Sequence, residues 1–306
     1  MRFGYHLTPG HEREEAPVLT AFVKDVRART EAWAAKRGHR IWLGARVPAH
    51  PDAAAGLGMD GVAWARAGLV DLLVPCPFWA SSDFDIPVEL WLERLGDAAA
   101  RVTVAPGLEF NARPWPGGKA VANTLESARG FAASCRQRGA DSLYLFNWMD
   151  SQTRPVGEDA YARLLRQGLG LDVVQREVRR HPVCYRDTVP AGFPNGACLP
   201  VEGPASGRFR LHVGPAPRPG RVWAIAGLAQ RDGVDQAALG GELNGQALGP
   251  AQPMEAIADL GGGTVRALML LCPQGACRDG YNDLRLVQTS GGAAQQIVWV
   301  ELRIEP

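Results

Sequence analysis

Residues 69–75 have the sequence LVDLLVP, a short run in which almost every residue is apolar. Such a run predicts a strand of a parallel sheet, because strands of this kind are buried on both faces. Similar runs predict strands over 1–5, 41–47, 102–105 and 142–146. Helical spacing of apolar residues predicts helices over 17–37, 59–67, 87–95, 119–138 and 159–169. Strands that alternate with helices in this way indicate an α/β fold with a parallel sheet.

The choice between a barrel and a doubly wound sheet depends on the loops after the strands. A Gly-x-Gly-x-x-Gly motif, which would mark a dinucleotide-binding sheet, is found after none of them. We therefore expect residues 1–180 to form a domain of the (β/α)8 barrel type, as in TIM barrels.

From about residue 182 the pattern changes to short alternating runs separated by turns rich in Pro and Gly. These runs lie at 208–213, 222–227, 242–248, 265–271, 283–288 and 297–304. Short alternating strands with frequent turns predict an antiparallel β-sandwich or jelly roll. We therefore expect a second, accessory domain over 181–306, with residues 173–186 connecting the two.

Composition excludes several classes of protein. The 306 residues are 46% hydrophobic and 21% charged, with a net charge of +1, which is ordinary for a soluble globular protein. No run rich in Lys and Arg predicts nucleic-acid binding, and no apolar run is long enough to predict a membrane span. The N-terminus lacks the pattern of a signal peptide, so an extracellular or periplasmic location is expected only if the chain is truncated there.

The six cysteines do not form a zinc-binding pattern, and no metal or cofactor is predicted. Cys272 and Cys277 flank a short loop. They are expected to pair if the protein is exported and otherwise to remain thiols.

Polar and aromatic residues come directly after the predicted strands, and in a (β/α)8 barrel the carboxyl ends of the strands form one rim that holds the active site. Aromatic rings stack on sugar rings, while Asp, Glu, Asn and Arg bond hydroxyl groups, so this set favours a carbohydrate ligand. The predicted rim residues are His6, Arg46, Trp79, Asp83, Asp85, Glu109, Asn111, Arg113, Asn147, Trp148 and Asp150.

Glu109 is the strongest candidate, because it directly follows an apolar strand and a Pro-Gly step. It fits a nucleophile, a base or a substrate ligand, and equally a structural carboxylate paired with Arg46 or Arg113. Glycoside hydrolysis needs a second carboxyl group on the other side of the bond. Asp83 and Asp85 are the first candidates for that role.

Each remaining candidate has a structural alternative. Asp85 precedes an Ile-Pro step and also fits the cap of a helix. His6 fits either a ligand contact or a structural role. Trp79 and Trp148 fit either stacking platforms for sugar or core residues, and Asp150 is a further choice for the second carboxylate.

Five motifs occur in an order that resembles a known family. They are RIWLGARVP at 40–48, GLGMD at 56–60, GLVDLLVP at 68–75, PGLE at 106–109 and GADSLYLFN at 139–147. Together they resemble bacterial TIM-barrel glycoside hydrolases of the "glycosyl hydrolase-like 10" type, over roughly residues 1–170. The resemblance implies a carbohydrate-active barrel in which 69–75, 102–109 and 142–147 are strands six, seven and eight.

The resemblance also implies roles for particular residues. Glu109 would lie at the end of strand seven, where retaining glycosidase barrels place their nucleophile. Residues 1–6 would be the end of strand four, so the acid expected on that strand would lie upstream of Met1 or be missing. We therefore expect a glycoside hydrolase or a protein derived from one, or alternatively a non-catalytic carbohydrate-binding protein. A second copy of the chain is a candidate partner that would close the open edge of the barrel.

Overall fold

The computed structural model describes residues 7–148, 157–188, 192–203, 207–290 and 293–306. The strand predicted at 1–5 and the candidate site residues His6 and Asp150 lie outside these ranges. The described residues form a mixed α/β structure, which confirms the predicted class at that level. They do not form a closed barrel.

The first part of the chain alternates strands with helices. Its elements are α1 (Glu12–Arg37), β1 (Gly44–Pro48), α2 (Pro51–Gly56), α3 (Gly61–Arg66), β2 (Leu72–Cys76), α4 (Val88–Leu95), a 3-10 helix (Gly96–Ala100), β3 (Thr103–Val104), β4 (Gly107–Leu108), β5 (Asn111–Ala112), β6 (Val121–Ala122), α5 (Leu125–Gln137), β7 (Tyr144–Leu145), α6 (Glu158–Gln167) and α7 (Leu171–Val174).

The second part consists mainly of strands. They are β8 (Arg179–Pro182), β9 (Val201–Glu202), β10 (Gly207–His212), β11 (Arg221–Leu228), β12 (Ala238–Leu243), β13 (Gln246–Ala247), β14 (Gln252–Met254), β15 (Arg266–Leu271), β16 (Tyr281–Ser290) and β17 (Gln296–Glu305), with a 3-10 helix at Val234–Gln236.

Five strands of the first part form parallel pairs between neighbours in the alternating pattern. β1 pairs with β2, β2 with β3, and β4 with β7. β4 also lies close to β2, since a Cβ atom on Gly107 would be 2.5 Å from the Cys76 sulfur. A glycine is required at this position because a larger residue would push the two strands apart.

The helix predicted over 119–138 is shorter than expected. It begins at Leu125 because Thr124 and Ser127 form a reciprocal cap, each side chain bonding the backbone N–H of the other. The residues before the cap instead form β6, which pairs with β5 in an antiparallel ribbon. This ribbon comes soon after Glu109 in the chain and helps to fix its surroundings.

Two antiparallel sheets in the second part share one apolar core. One has the order β10-β16-β12-β13, and the other has the order β14-β15-β11-β17-β8 with β9 also on β17. Alternate side chains from both sheets, among them Phe209, Leu284 and Val300, fill the space between them. The run predicted at 242–248 is a hairpin, because Asn244 and Gly245 both have positive φ and turn the chain.

The predicted connection over 173–186 contains a strand of the six-stranded sheet. β8 pairs with β17 and packs closely against α5, where a Cβ atom on Gly130 would lie 1.9 Å from the carbonyl oxygen of Arg180. The connection therefore fixes the α/β part against the sheets. The domain boundary near residue 180 stays a prediction.

Candidate functional site

Glu109 directly follows β4, at the carboxyl end of a parallel strand, as the sequence predicts. Its carbonyl oxygen accepts hydrogen bonds from the hydroxyl of Ser82 and from the side-chain amide of Asn123, both at 2.8 Å. These two buried donors come from different loops. They hold the backbone of Glu109 in place.

The carboxyl group of Glu109 is fully buried, with an exposed fraction of 0%. One oxygen accepts hydrogen bonds from the N–H of Phe110 at 3.0 Å and from the amide of Asn147 at 3.4 Å. The other oxygen has no hydrogen-bond partner among the described residues. Burial disfavours the charged form and raises the pKa of Glu109 to about 7. The group is therefore poised between its acid and its carboxylate form near neutral pH.

Arg46 lies near Glu109 but does not form an ion pair with it among the described residues. Its guanidinium group donates to the carbonyl oxygens of Pro77 and Phe78 and lies 3.8 Å from the centre of the Phe146 ring. Its positive charge lowers the pKa of Glu109, but less than burial raises it. The predicted structural alternative, a carboxylate paired with Arg46 or Arg113, is therefore not what the described contacts show.

The charge of a second carboxylate, Asp187, acts on Glu109. One oxygen of Asp187 accepts hydrogen bonds from the backbone N–H groups of Trp79 and Ala80, each at 2.7 Å. Its negative charge acts on Glu109 and contributes, after burial, to the raised pKa. Sequence reasoning missed Asp187 because the residue lies at the end of the connecting segment and comes after none of the predicted strands. The only signal in the sequence was an acidic residue next to a segment predicted to be a linker.

Asp83 was predicted to stand opposite Glu109, but its described contacts are with Asp85. Asp83 is buried, and one of its oxygens accepts the N–H of Asp85 at 2.8 Å. Burial, followed by the charge of Asp85, raises the pKa of Asp83 to about 6. Both aspartates line a cavity between the two parts of the protein, together with residues of the connecting segment and of β10.

Asp85 contacts four side chains where the α/β part meets the antiparallel sheets. Its carboxylate accepts from Tyr281 at 2.6 Å and from Arg138 at 2.9 Å, and Arg210 and Arg186 lie at 3.2 and 3.5 Å. Burial alone would raise the pKa of Asp85, but the Tyr281 bond and the charge of Arg138 lower it below its usual value. The helix-cap alternative is wrong, because α4 has Pro87 at its cap position and no side-chain cap.

We expect Asp85→Asn to lower the free energy of unfolding by about 1–3 kcal/mol, because the buried guanidinium of Arg138 loses one of its two carboxylate partners. Urea denaturation would measure the change. Arg231→Ala is the matched control, since its pair with Glu202 is exposed and its loss should cost less than about 1 kcal/mol. An equal effect of the two substitutions would show that Asp85 does not stabilise the junction.

The remaining predicted site residues are spread over several environments. Trp79 is 59% exposed and its ring contacts Phe78, with ring centres 5.5 Å apart. Trp148 is fully buried in the core that surrounds Phe131, which favours its structural alternative. Asn111 lies in the ribbon with β6, and the backbone N–H of Arg113 donates to Ser81.

Two absences hold for the described residues. No group of three or more His, Cys, Asp or Glu side chains there is arranged to hold a metal ion. None of the described helices has the length and apolar character needed to cross a bilayer. Cys272 and Cys277 are both free thiols in the structure.

Comparison with protein-family models gives no match for this chain, and none of the curated proteins matches it. The resemblance to TIM-barrel glycoside hydrolases therefore depends on the ordered sequence motifs alone.

Proposed function

We propose that the protein is a glycoside hydrolase, or is derived from one, and that it acts on a carbohydrate through Glu109. The observation that carries this proposal is the raised pKa of Glu109, about 7, at the carboxyl end of a parallel strand, where the charge of Asp187 also acts on it. Glycosidases require one carboxyl group that is protonated and one that is ionised near the working pH. In this proposal Glu109 is the protonated group and Asp187 is the second carboxyl group.

The strand arrangement supports a partial (β/α)8 barrel. Parallel strands that are neighbours in chain order are what consecutive barrel strands provide. In this interpretation β1 and β2 are strands five and six, β3 with β4 is strand seven, and β7 is strand eight. The two antiparallel sheets then form the accessory β-sandwich of residues 181–306. Closure of the edge at β1 by a second copy stays a prediction, which gel filtration would test.

The raised pKa favours a particular role for Glu109. A nucleophile must be ionised, whereas a carboxyl group with a pKa near 7 serves best as a proton donor. In the proposed reaction Glu109 gives its proton to the glycosidic oxygen as the bond to the anomeric carbon breaks. Asp187 either takes a proton from the water that attacks the anomeric carbon, or attacks that carbon itself. In the second case water then breaks the bond between Asp187 and the sugar, and Glu109 takes the proton of that water.

Complete burial of Glu109 favours a second candidate, a non-catalytic carbohydrate-binding protein. In the described structure the carboxyl group has no exposed surface, so a substrate reaches it only if the covering residues move. In the non-catalytic alternative, the exposed ring of Trp79 supplies the sugar contact and Glu109 is a structural acid.

Hydrolysis of a panel of 4-nitrophenyl glycosides would separate the two candidates. We expect turnover by the parent protein and a loss of about 100-fold or more for Glu109→Gln, the range that general acid catalysis contributes. Asp187→Asn should show a comparable loss, while Glu242→Gln, at a partly exposed position in β12 outside the site, should keep full activity. The parent kcat/KM should fall as pH rises through about 7, because Glu109 then loses the proton it donates.

Either of two results would contradict the proposal that Glu109 is the catalytic acid. Turnover by Glu109→Gln at the parent rate would show that Glu109 is not the acid. Absence of turnover by the parent, together with oligosaccharide binding that Trp79→Ala abolishes, would establish the non-catalytic alternative.

A further inference from the structure

Two tryptophan residues near the C-terminal end of α1 are largely exposed. Trp33 lies in the last turns of the helix and is 54% exposed, and Trp42 lies in the segment that leads to β1 and is 58% exposed. Tryptophan is highly buried on average in folded proteins. When exposed aromatic rings occur together with charged groups, they mark a surface that can bind a partner or a ligand.

Basic side chains lie over both rings. The Lys36 Nζ atom is 5.0 Å from the centre of the Trp33 ring, and the guanidinium carbon of Arg37 is 5.7 Å from the same centre. The guanidinium carbon of Arg40 is 5.3 Å from the centre of the Trp42 ring. Cations are attracted to the faces of indole rings, so these contacts order the side chains. We call Trp33, Lys36, Arg37, Arg40 and Trp42 the basic aromatic patch.

The basic aromatic patch carries positive charge that is not neutralised. Lys36 and Arg37 are exposed, and neither forms an ion pair with a carboxylate among the described residues. Arg40 pairs with Asp71, but the same carboxylate also pairs with a second arginine, which belongs to α1. Residues 32–51 include no Asp or Glu. The patch is therefore a local concentration of cations in a chain whose net charge is only +1.

The basic aromatic patch lies at the amino edge of the parallel sheet. Asp71, which bonds Arg40, directly precedes β2, and its backbone carbonyl accepts the N–H of Thr103 at the start of β3. Glu109 instead follows β4, at the carboxyl edge of the parallel strands. The patch and the proposed acid are therefore at opposite ends of the strands, and a ligand on the patch does not occupy the site of hydrolysis.

We propose that the basic aromatic patch binds an acidic polysaccharide, whose sugar rings carry carboxylate or sulfate groups, as an anchoring site separate from Glu109. Such anionic groups pair with Lys and Arg side chains, and the C–H faces of sugar rings pack on exposed indole rings. Two aromatic rings and three cations within the ten residues 33–42 match a ligand of several sugar units. The choice of a polysaccharide among anionic polymers rests on the proposed carbohydrate activity, whereas the charge of the patch does not.

Affinity electrophoresis and calorimetric titration of the Glu109→Gln variant would test the proposal without turnover of the probe at Glu109. Polygalacturonate and chondroitin sulfate represent acidic polysaccharides, and dextran represents a neutral one. We expect at least one acidic polysaccharide to bind and dextran not to bind. The affinity should fall about tenfold or more between about 0.05 and about 0.5 M NaCl, because salt screens exposed charges. Binding of neither acidic polysaccharide, or equal binding of dextran, would overturn the proposal.

Other anionic partners are separate outcomes of the same measurement. Poly-L-glutamate represents an acidic protein surface, single-stranded DNA represents a nucleic acid, and phosphatidylglycerol vesicles represent an anionic lipid surface. An affinity for any of these that equals or exceeds the affinity for the acidic polysaccharides would overturn the assignment. Binding of polysaccharide by a parent protein that hydrolyses no glycoside would contradict the proposed function at Glu109 and not the anchoring site. Turnover without such binding would do the reverse.

Variants assign the binding to the basic aromatic patch. Lys36→Gln combined with Arg37→Gln should weaken binding about tenfold, through loss of two exposed charge contacts. Trp33→Ala should weaken binding about three- to tenfold, through loss of the indole surface. Lys24→Gln is the matched control and should bind as the parent does, because Lys24 is an exposed cation on α1 about three turns before Lys36.

These positions are exposed, so urea denaturation should show nearly unchanged stability for each variant and exclude unfolding as the cause of weaker binding. Full binding by both the Lys36→Gln, Arg37→Gln double variant and Trp33→Ala would place the polysaccharide elsewhere and overturn the assignment.

Discussion

Replacing Arg180 by methionine is expected to lower the free energy of unfolding by about 3–5 kcal/mol, the cost of leaving a buried charge without its partner. Arg180 lies in β8, and its guanidinium group bonds both oxygens of Glu301 at 2.7–3.1 Å. Glu301 lies in β17 and is 0% exposed. A second carboxylate, Asp259, also pairs with Arg180. The substitution therefore leaves a fully buried carboxylate with only the more distant Arg303, at 3.6 Å, as a cationic partner among the described residues.

Urea denaturation of matched variants would measure this effect. The double variant Arg180→Met with Glu301→Leu should recover only part of the loss, because it removes the unpaired carboxylate but leaves the buried N–H of Trp299, which donates to Glu301 at 3.0 Å, without that acceptor. Arg218→Ala is the control, since its pair with Asp279 is exposed and should contribute less than about 1 kcal/mol. A loss below about 1 kcal/mol for Arg180→Met would contradict the interpretation of Arg180 as the group that compensates Glu301.

The second large effect concerns the free energy of unfolding, whose dependence on pH should be weaker in Glu109→Gln than in the parent. The pKa of Glu109 is about 7 in the folded protein and 4.5 without the protein environment, so the unfolded chain releases this proton first as pH rises. The contribution of Glu109 to stability is therefore fully present below about pH 4.5 and is lost as pH rises through 7. The difference between the two pKa values corresponds to about 3 kcal/mol.

The measurement compares the parent and Glu109→Gln in urea at pH 4 and at pH 8. We expect the variant to gain about 3 kcal/mol relative to the parent between these two pH values, because glutamine does not ionise. Asp83 also has a raised pKa, but it is present in both proteins and its contribution cancels. A difference between parent and variant that does not change with pH would show that Glu109 ionises normally.

The sequence predicted the local features of this protein well. The strand at 69–75 is found at Leu72–Cys76, and the helix at 87–95 is found at Val88–Leu95. Both depend on hydrophobic spacing, which acts over a few residues. The prediction over 119–138 was too long at its N-terminal end, because Thr124 caps the helix and the residues before it pair with β5 instead.

The candidate site was predicted only in part. Glu109 was found because a carboxylate after a parallel strand lies at the active edge of such a sheet. Asp187 was missed because it directly follows a segment predicted to be a linker, and only the pairing of that segment with β17 shows that it is structured. Asp85 was considered as a helix cap, yet its hydrogen bond to Tyr281 joins residues 196 positions apart.

By itself the sequence determined the alternation of strands and helices, the change to short strands near residue 182 and the place of Glu109 at a strand end, since each depends on neighbouring residues. Only the tertiary structure decided that Glu109 is buried with a pKa near 7 and that the charge of Asp187 acts on it. The physical reason is that desolvation and charge interactions depend on which distant residues surround a group. The local pattern of residues in the sequence does not specify which distant residues become neighbours, whereas the folded structure does.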